Sequence, residues 1–490
     1  VGQFALRLLG FLGGSLGLAL LLFAHRWASL DAFMYMGMVL VSAVALGLTR
    51  FHLRHARLEA VEPRCAERII WLTAVLSIGG VQLMTRVLGP QDLLGVGFLL
   101  TAPLMAQAML VSALAGPPVA LFALTVVTFM LGIAGAMPVN MLAASWLAGA
   151  VGAHAINPMK RRSDLIRATT VQSAAMAVIA CCITAVAVSD PLIVLESAGW
   201  AAVASVGAVS LFWLGVTVLE RLFGIVSDWS LLELSSPDHP LIRALCLRAP
   251  GTYAHSVIVA NLAEAAARDT GANPVLARTM AIFHDVGKMM RPQYFTENQT
   301  GPNPHDGLSP SLSAMIVASH VKDGVALARR HRLPQVLIDG IEQHHGTQLI
   351  AFFFARACGR CPDEAEKAEL EPHFRYEGPR PRSKETAILM LADSAEAVSR
   401  TVPHGQTEQL EGAIRRIVEE RRADGQLDEC DLTLRELEQV QRSFIQVLTA
   451  LRHERVPYPD SPYEPAQTTP DPHLEPLRQK APRGPYPGGN

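Results

Sequence analysis

Apolar residues are arranged in two different ways along this chain. In the first half they form unbroken runs at about 4–24, 33–49, 69–88, 95–113, 117–135, 139–156, 168–189 and 199–219. Most have the length a helix needs to cross the hydrocarbon core of a bilayer, and some are short. Beyond residue 240 the apolar positions recur at helical spacing instead. Val257, Val259, Ala260, Leu262, Ala263 and Ala266 form one such stripe, and Ile338 and Ile341 belong to another. Runs of alternating β-branched residues, which would mark half-buried strands, are absent. The pattern predicts an all-α protein: a polytopic helical membrane domain over 1–220, a linker and docking segment over 221–250, and an all-α domain over 251–455. Residues 456–490 hold many Pro and few apolar residues, and are expected to be a disordered tail.

Charge sharpens this division. Residues 1–220 contain 21 Asp, Glu, Lys and Arg, and residues 221–490 contain the other 65. No such residue occurs between Asp92 and Lys160. A soluble domain has no reason to avoid charge for that long, whereas a charge at the bilayer centre costs at least a few kcal/mol. The loop 50–68 carries Arg50, Arg54, Arg57, Arg64 and Arg68, and the loop 157–167 carries Lys160, Arg161, Arg162 and Arg167. The loops at Asp92 and at Asp190–Glu196 are acidic without a base. With eight spans, both basic loops fall on one side, which the positive-inside rule makes cytoplasmic. The same alternation places everything after residue 220 in the cytoplasm, on a multi-pass protein of the inner (plasma) membrane.

The intramembrane polar groups are few (Gln82, Arg86, Gln107, Asn140, His154 and Gln172) and include no cluster of acids. An anchor and signal conduit is therefore expected rather than a proton-coupled transporter. Net charge is −2, so nothing global points to a nucleic-acid polymer as partner. The seven Cys are scattered and do not form a disulfide framework. Cys358 and Cys361 make a lone CxxC, read as an incidental loop feature. There is no cleavable signal peptide, and the first residue, Val1, suggests a sequence that begins part-way through a natural protein.

The chemistry lies in the second half. His284-Asp285 opens the run H-D-V-G-K; His255 precedes it, and His320, His344-His345 and Asp393 follow, each set in apolar helical sequence. Lone histidines are common in cores, but this many imidazoles and carboxylates are hard to explain that way. Both groups are ligands for borderline first-row ions. Seven ligands exceed what one ion holds, and suffice for two if one carboxylate bridges. Asp285 is the natural bridge, since it and His284 lie on one helical turn. Two such ions activate a bridging water to hydroxide and clamp a phosphoryl group for in-line displacement. Lys288, at i+3 from Asp285, is placed to hold a phosphate oxygen or the hydroxide. Asn303 and His305, in the following loop with Asp306, are candidate substrate contacts. The acidic patch Glu364–Glu371 is read as a solvated helix face.

At these residues the sequence resembles the HD superfamily of metal-dependent phosphohydrolases, and more specifically the bacterial seven-transmembrane-receptor HD hydrolases. The resemblance runs through L-E-R-L-F-G (219–224), L-L-E-L (231–234), A-P-G-T-Y-A-H-S (249–256), A-N-L-A-E-A-A (260–266), H-D-V-G-K (284–288), N-P-H-D (303–306), S-H-V-K-D-G (319–324), E-Q-H-H-G-T (342–347), F-R-Y-E-G-P (374–379), L-A-D-S (391–394) and D-G-Q-L-D-E-C-D-L-T (424–433). It implies a phosphodiesterase that hydrolyses cyclic di-AMP to linear pApA with two divalent ions, iron or manganese. It also implies that His255, His284, Asp285 and Asp393 bind one ion, and Asp285, His320, His344 and His345 the other. A homodimer through the HD domain is a candidate assembly.

Two departures stand out. The family usually has two His before the Ser of the first motif, and here the first is Ala254. Members also carry a large external sensor domain after the first span, where about eight residues stand here; that domain is read as lost, or the chain as a fragment. A cyclic di-GMP hydrolase of the related HD-GYP type would need a G-Y-P segment after the His pair, and this chain has His345-Gly346-Thr347. Hydrolysis of an alarmone or another phosphate ester stays open on the residues alone. A nucleotide-binding sensor without turnover is disfavoured by the complete ligand set.

Overall fold

The computed structural model describes residues 13–21, 32–56, 63–89, 95–156, 162–223, 226–359, 364–403 and 405–452. Among these the chain is helical, with no strand and a single antiparallel bridge between Leu349 and Arg375. The expected tail at 456–490, Cys361, and the ends of the first expected span lie outside the described residues.

Among the described residues, a helical stretch at 13–21 is followed by seven apolar helices: α1 (Ala32–His55), α2 (Pro63–Leu88), α3 (Ala102–Ala115, entered through a 3-10 stretch Val96–Thr101), α4 (Pro117–Ala134), α5 (Val139–Ala155), α6 (Arg162–Ala187) and α7 (Pro191–Phe223). Six segments are long and apolar enough to cross a membrane: Phe33–His55, Pro63–Leu88, Val96–Ala115, Pro117–Ala134, Ser163–Ala187 and Pro191–Phe223. The fifth helix, at 17 residues, is slightly shorter. Residues 13–21 of the first expected span are also helical.

Helix α3 is the axis of this bundle. Every residue from Ala102 to Ser112 is buried, and the helix packs against α2, α4, α5 and α7. The outer helices turn Phe33, Leu83, Phe129, Val186 and Leu195 outwards. Water would not tolerate so continuous an apolar surface, and lipid would. Buried polar groups are mostly absorbed by backbone carbonyls: Gln172 Nε2 donates to Ala148 at 3.0 Å and Ser112 Oγ to Ala153 at 2.6 Å. Gln107 is buried with neither amide atom hydrogen-bonded.

The segment 221–250, read from sequence as linker and docking segment, is largely helical and belongs to the second core. Helix α7 runs on to Phe223. Beyond it come α8 (Asp228–Leu234) and α9 (Pro240–Arg248), which bury Leu231, Leu241, Ile242 and Leu245 among the apolar side chains of the soluble domain. Local signals start both helices: Ser227 caps α8, and His239 followed by Pro240 opens α9. Glu220 accepts hydrogen bonds from the Ser227 amide at 2.8 Å and the Ser230 hydroxyl at 2.9 Å. Trp213 of α7 meets Trp229 of α8 edge-to-face, with ring centroids 5.1 Å apart. These contacts join the two halves.

The soluble domain continues with α10 (Pro250–Thr270), α11 (Pro274–Phe283), α12 (Pro310–Arg330), α13 (Gln335–Gln343), α14 (Ala351–Cys358), α15 (Glu364–Leu370), α16 (Lys384–Ser399), α17 (Thr407–Ala423) and α18 (Leu434–Leu451). Asn273, Ser309, Ser383 and Thr433 cap α11, α12, α16 and α18 through their side chains. Helix α10 lies at the centre, against α11, α16 and α18. Most of its predicted stripe is its buried face: Val259, Ala260, Leu262, Ala263 and Ala266 are buried, and Val257 is half-buried. The same buried face, near the start of α10, carries His255.

Candidate metal centre

Five elements deliver the seven predicted ligand residues to one place. His255 comes from α10, His284 and Asp285 from the end of α11, His320 from α12, His344 and His345 from the end of α13, and Asp393 from α16. The sequence reading put His284 and Asp285 on one continuous helix. The structure instead ends α11 at Phe283, leaves Asp285 at φ −105° and ψ 14°, and tightens into a 3-10 turn over Val286–Met290. That turn presses against α12. A Cβ on Gly287 would overlap the His320 carbonyl, so only glycine allows the approach that brings His320 to Asp285.

The histidines are aimed by their Nδ1 atoms. His284, His320 and His344 donate from Nδ1 to the carbonyls of Ala281, Val317 and Ile341, three residues earlier, at 2.6, 2.6 and 2.7 Å. A carbonyl only accepts, so the proton sits on Nδ1 and the Nε2 lone pair faces inward. His255 differs, because its Nδ1 meets Glu396 Oε2 at 2.8 Å. His345 is held by stacking against Tyr376, at 4.2 Å and 22° between planes.

Asp285 divides its two oxygens. Oδ1 lies 3.3 Å from His320 Nε2 and 3.6 Å from His344 Nε2. Oδ2 lies 3.1 Å from His284 Nε2 and 3.5 Å from His255 Nε2. Asp393 Oδ1 stands 3.1 Å from His255 Nε2 and 3.8 Å from His284 Nε2, and its Oδ2 stands 3.9 Å from His345 Nδ1. Two ligand groups result, Asp285 with His320, His344 and His345, and Asp285 with His255 and His284; within each, donor atoms lie within 4.8 Å of one another. Nε2 of His255 and His284 and both Asp285 oxygens are buried without a hydrogen bond of normal geometry. Apart from Lys288 on Asp285 Oδ2 and Asp393 on His255 Nε2, these converging imidazole and carboxylate atoms face one another rather than ordinary partners, and such a donor set fits a metal.

Electrostatics agree with that fit. Burial would raise the Asp285 carboxyl, but His284 and Lys288 outweigh it and hold the group well below its usual range. Burial likewise opposes ionisation of Asp393, and its hydrogen bond and charge contact with His255 reverse this. His320 is driven down to about 3 by burial, and His345 is also driven well down by burial, so both are neutral and able to ligate. His255 is the exception: burial lowers it, yet Asp393 and Glu396 carry it up to about 9.

Residues 252–398 match the family model of the HD domain, and residues 32–227 match that of the 7TM receptor with intracellular HD hydrolase. Between them the two matches take in most of the chain. The chain belongs to the seven-transmembrane-receptor HD hydrolases. It is 47% identical over 245 residues to the cyclic-di-AMP phosphodiesterase PgpH of Bacillus subtilis, covering 49% of this chain and 34% of that protein. It is 42% identical over 261 residues to the protein of the same name from Listeria monocytogenes, covering 52% of this chain and 36% of that one. The chain thus spans about a third of the length of these relatives. A crystal structure of the L. monocytogenes PgpH HD domain with cyclic-di-AMP aligns at 42% identity and a TM-score of 0.42, over 44% of this chain and 99% of that one.

The cluster is unevenly exposed. Side chains of His284, Asp285, His320 and His344 are at most 1% exposed, whereas Lys288, Asp393 and His345 keep 14–17%. Next to the more open side a cleft of about 500 Å³ runs between α12 and the segment 373–378; Ala318, Lys322 and Arg329 line one wall, and His345, Arg375 and Tyr376 the other. Lys288 Nζ reaches Asp285 Oδ2 at 2.7 Å and Glu297 Oε1 at 3.0 Å. Asn303 and His305, expected as substrate contacts, meet protein groups of their own loop and of α14. Asn303 Oδ1 accepts from the His305 amide at 3.0 Å, and the buried His305 ring packs between Tyr294 and Phe353 with Nε2 3.0 Å from the Tyr294 carbonyl. A short Pro304 turn needs that amide cap, which is why the polar residues point inward.

Sequence reasoning missed four residues of this surround. Glu396 was legible in principle, lying one helical turn after Asp393. Tyr376 sat in a recognised motif without a role. Glu297 and Arg421 had no signal, because a loop and a distant helix bring them in. Arg421 is held to the Ser394 hydroxyl at 3.2 Å, beside Asp393.

Proposed function

We propose that this chain is a membrane-anchored, two-metal phosphodiesterase that hydrolyses cyclic di-AMP to pApA. The observation that carries the reading is the division of Asp285: one oxygen faces the His320–His344 group and the other the His255–His284 group. A carboxylate so placed bridges two ions. On this reading His255, His284, Asp285 and Asp393 hold one, and Asp285, His320, His344 and His345 the other; the ions are iron or manganese. A pair of such ions supplies an activated water and charge stabilisation for in-line displacement at phosphorus.

The protein's own groups do the rest. His320 and His345, lowered by burial, are ready to ligate at pH 7 without losing a proton first, whereas His255 must lose one. Lys288, tethered by Glu297, presents a fixed positive charge at the open side, where a phosphodiester oxygen would lie. The apolar floor of the cleft, from Ala314, Ala318 and Val325, suits the face of a base, and Arg329 and Lys322 suit phosphate. Its size lies within the usual range for small-molecule sites. The substrate itself is supported by the likeness to the two PgpH proteins. The positive-inside arrangement of the basic loops supports a cytoplasmic site on an inner-membrane protein.

The test is a hydrolysis panel on the purified full chain in detergent, with Mn²⁺ or Fe²⁺ under reducing conditions and metal analysis of the same sample. Conversion of cyclic di-AMP to pApA is expected. Turnover of cyclic di-GMP or an alarmone, with cyclic di-AMP left intact, would sink the substrate assignment.

A further inference from the structure

Four histidines of the cluster have a resolved tether, and three of those tethers are alike. His284, His320 and His344 each use a backbone carbonyl of their own turn or helix. His255 alone uses a carboxylate, Glu396 on α16, a different helix. The geometry around Glu396 is closed on both sides. Its Oε2 meets His255 Nδ1 at 2.8 Å, while Oε1 accepts from Arg400 Nε at 2.8 Å and Nη2 at 2.7 Å. The side chain is 4% exposed, so water does not compete for it.

Spacing explains why α16 is built this way. Asp393 and Glu396 stand at i and i+3, on one face. Asp393 touches the Nε2 edge of His255 at 3.1 Å and Glu396 the Nδ1 edge at 2.8 Å. One turn of α16 therefore grips the imidazole from both ends. A carboxylate that accepts Nδ1–H fixes the tautomer and ring orientation, and makes Nε2 a stronger donor than a carbonyl does.

We infer that Glu396 is a positioning residue for the ion held by His255, His284, Asp285 and Asp393, with Arg400 fixing Glu396 in turn. This rests on the two-ion reading above. It makes the two ion sites unequal: only one of them includes a histidine braced by a carboxylate, while His320 and His344 of the other rest on backbone carbonyls.

The test is Mn²⁺ titration of the metal-free full chain in detergent, read by calorimetry and by the Mn²⁺ spin-resonance signal, for wild type, Glu396→Gln and Glu396→Ala. Wild type is expected to bind two ions. Glu396→Ala is expected to weaken one of them by about 10- to 100-fold and leave the other unchanged. Glu396→Gln still accepts the Nδ1–H bond, so it should recover part of the loss. Equal weakening of both ions, or wild-type binding of both, would overturn the inference. Should the alanine variant fail to fold by circular dichroism, the glutamine variant decides alone: selective weakening of one ion supports the inference, and unchanged binding overturns it. A wild-type stoichiometry below two ions overturns the two-ion reading itself, whatever the variants do.

Discussion

Lys288 Nζ stands 2.7 Å from Asp285 Oδ2, one 3-10 turn along the chain. The ammonium is buried, and burial alone would favour its neutral form. Asp285 and Glu297 outweigh that and raise the lysine above its ordinary value, so it stays charged. A fixed cation at the open side of the cluster acts on the charge that develops during phosphodiester cleavage. Lys288→Ala is expected to lower kcat by about ten- to a hundredfold, with metal content retained, since a positioned donor is commonly worth that much or more. Steady-state kinetics with metal analysis on the same preparation checks it. Loss of metal with unchanged kcat per loaded site would contradict it.

Asp285→Ala removes a group that both ligand sets share. Activity should fall to background, and both ions should be lost together rather than one. Metal analysis after dialysis distinguishes these outcomes; a variant that kept its metal and its rate would rule out the bridge.

The His255 shift gives a pH dependence with a definite sign. Raised to about 9, His255 carries a proton at neutral pH in the metal-free protein, and an ion must displace it. Affinity at the His255 ion should therefore rise by up to about tenfold per unit as pH increases towards 9, then level off. His320 and His345 are pushed below neutrality, so their ion should show little such dependence above pH 7. Mn²⁺ titrations at pH 7, 8 and 9 in the same detergent read this directly. Equal pH dependence of both ions would refute it.

Gly287→Ala should be severe although the substitution is small. The added methyl has no room against the α12 backbone at His320, and a backbone carbonyl does not yield as a flexible side chain does. Destabilisation of about 3 kcal/mol or more is expected, the range of overpacked, tightly apposed sites. Thermal unfolding of the metal-free chain measures it. A melting temperature within a degree of wild type would show that α11 and α12 have slack here.

Much of this was legible beforehand, and the reason is periodicity. Spanning runs and the Val259–Ala266 stripe announce helices and their buried faces, because helix geometry repeats along the sequence. That the seven His and Asp residues would converge was legible too, since His and Asp pairs in apolar helices have few other uses. Other features depend on contacts between distant segments. The 3-10 tightening after Asp285 follows from the approach of α12 at Gly287, not from anything in H-D-V-G-K itself. Glu297 reaches Lys288 from a loop with no regular spacing to it. His305 looked like a ligand-type residue in a polar loop, and instead its ring fills space between Tyr294 and Phe353. The short helices α8 and α9 were read as linker because seven and nine residues are too few to display a convincing period.

Helix α7 has a further meaning once its length is counted. Thirty-three residues make a rod of about 50 Å, well beyond the roughly 30 Å of a bilayer's oily interior. The excess is a stiff handle, clasped near its end by the Trp213–Trp229 contact and by Glu220 on Ser227 and Ser230. Leu231 of α8 is buried in the same core as Phe283, the residue before His284, so the element that this handle grips and the ligand cluster share one packed interior.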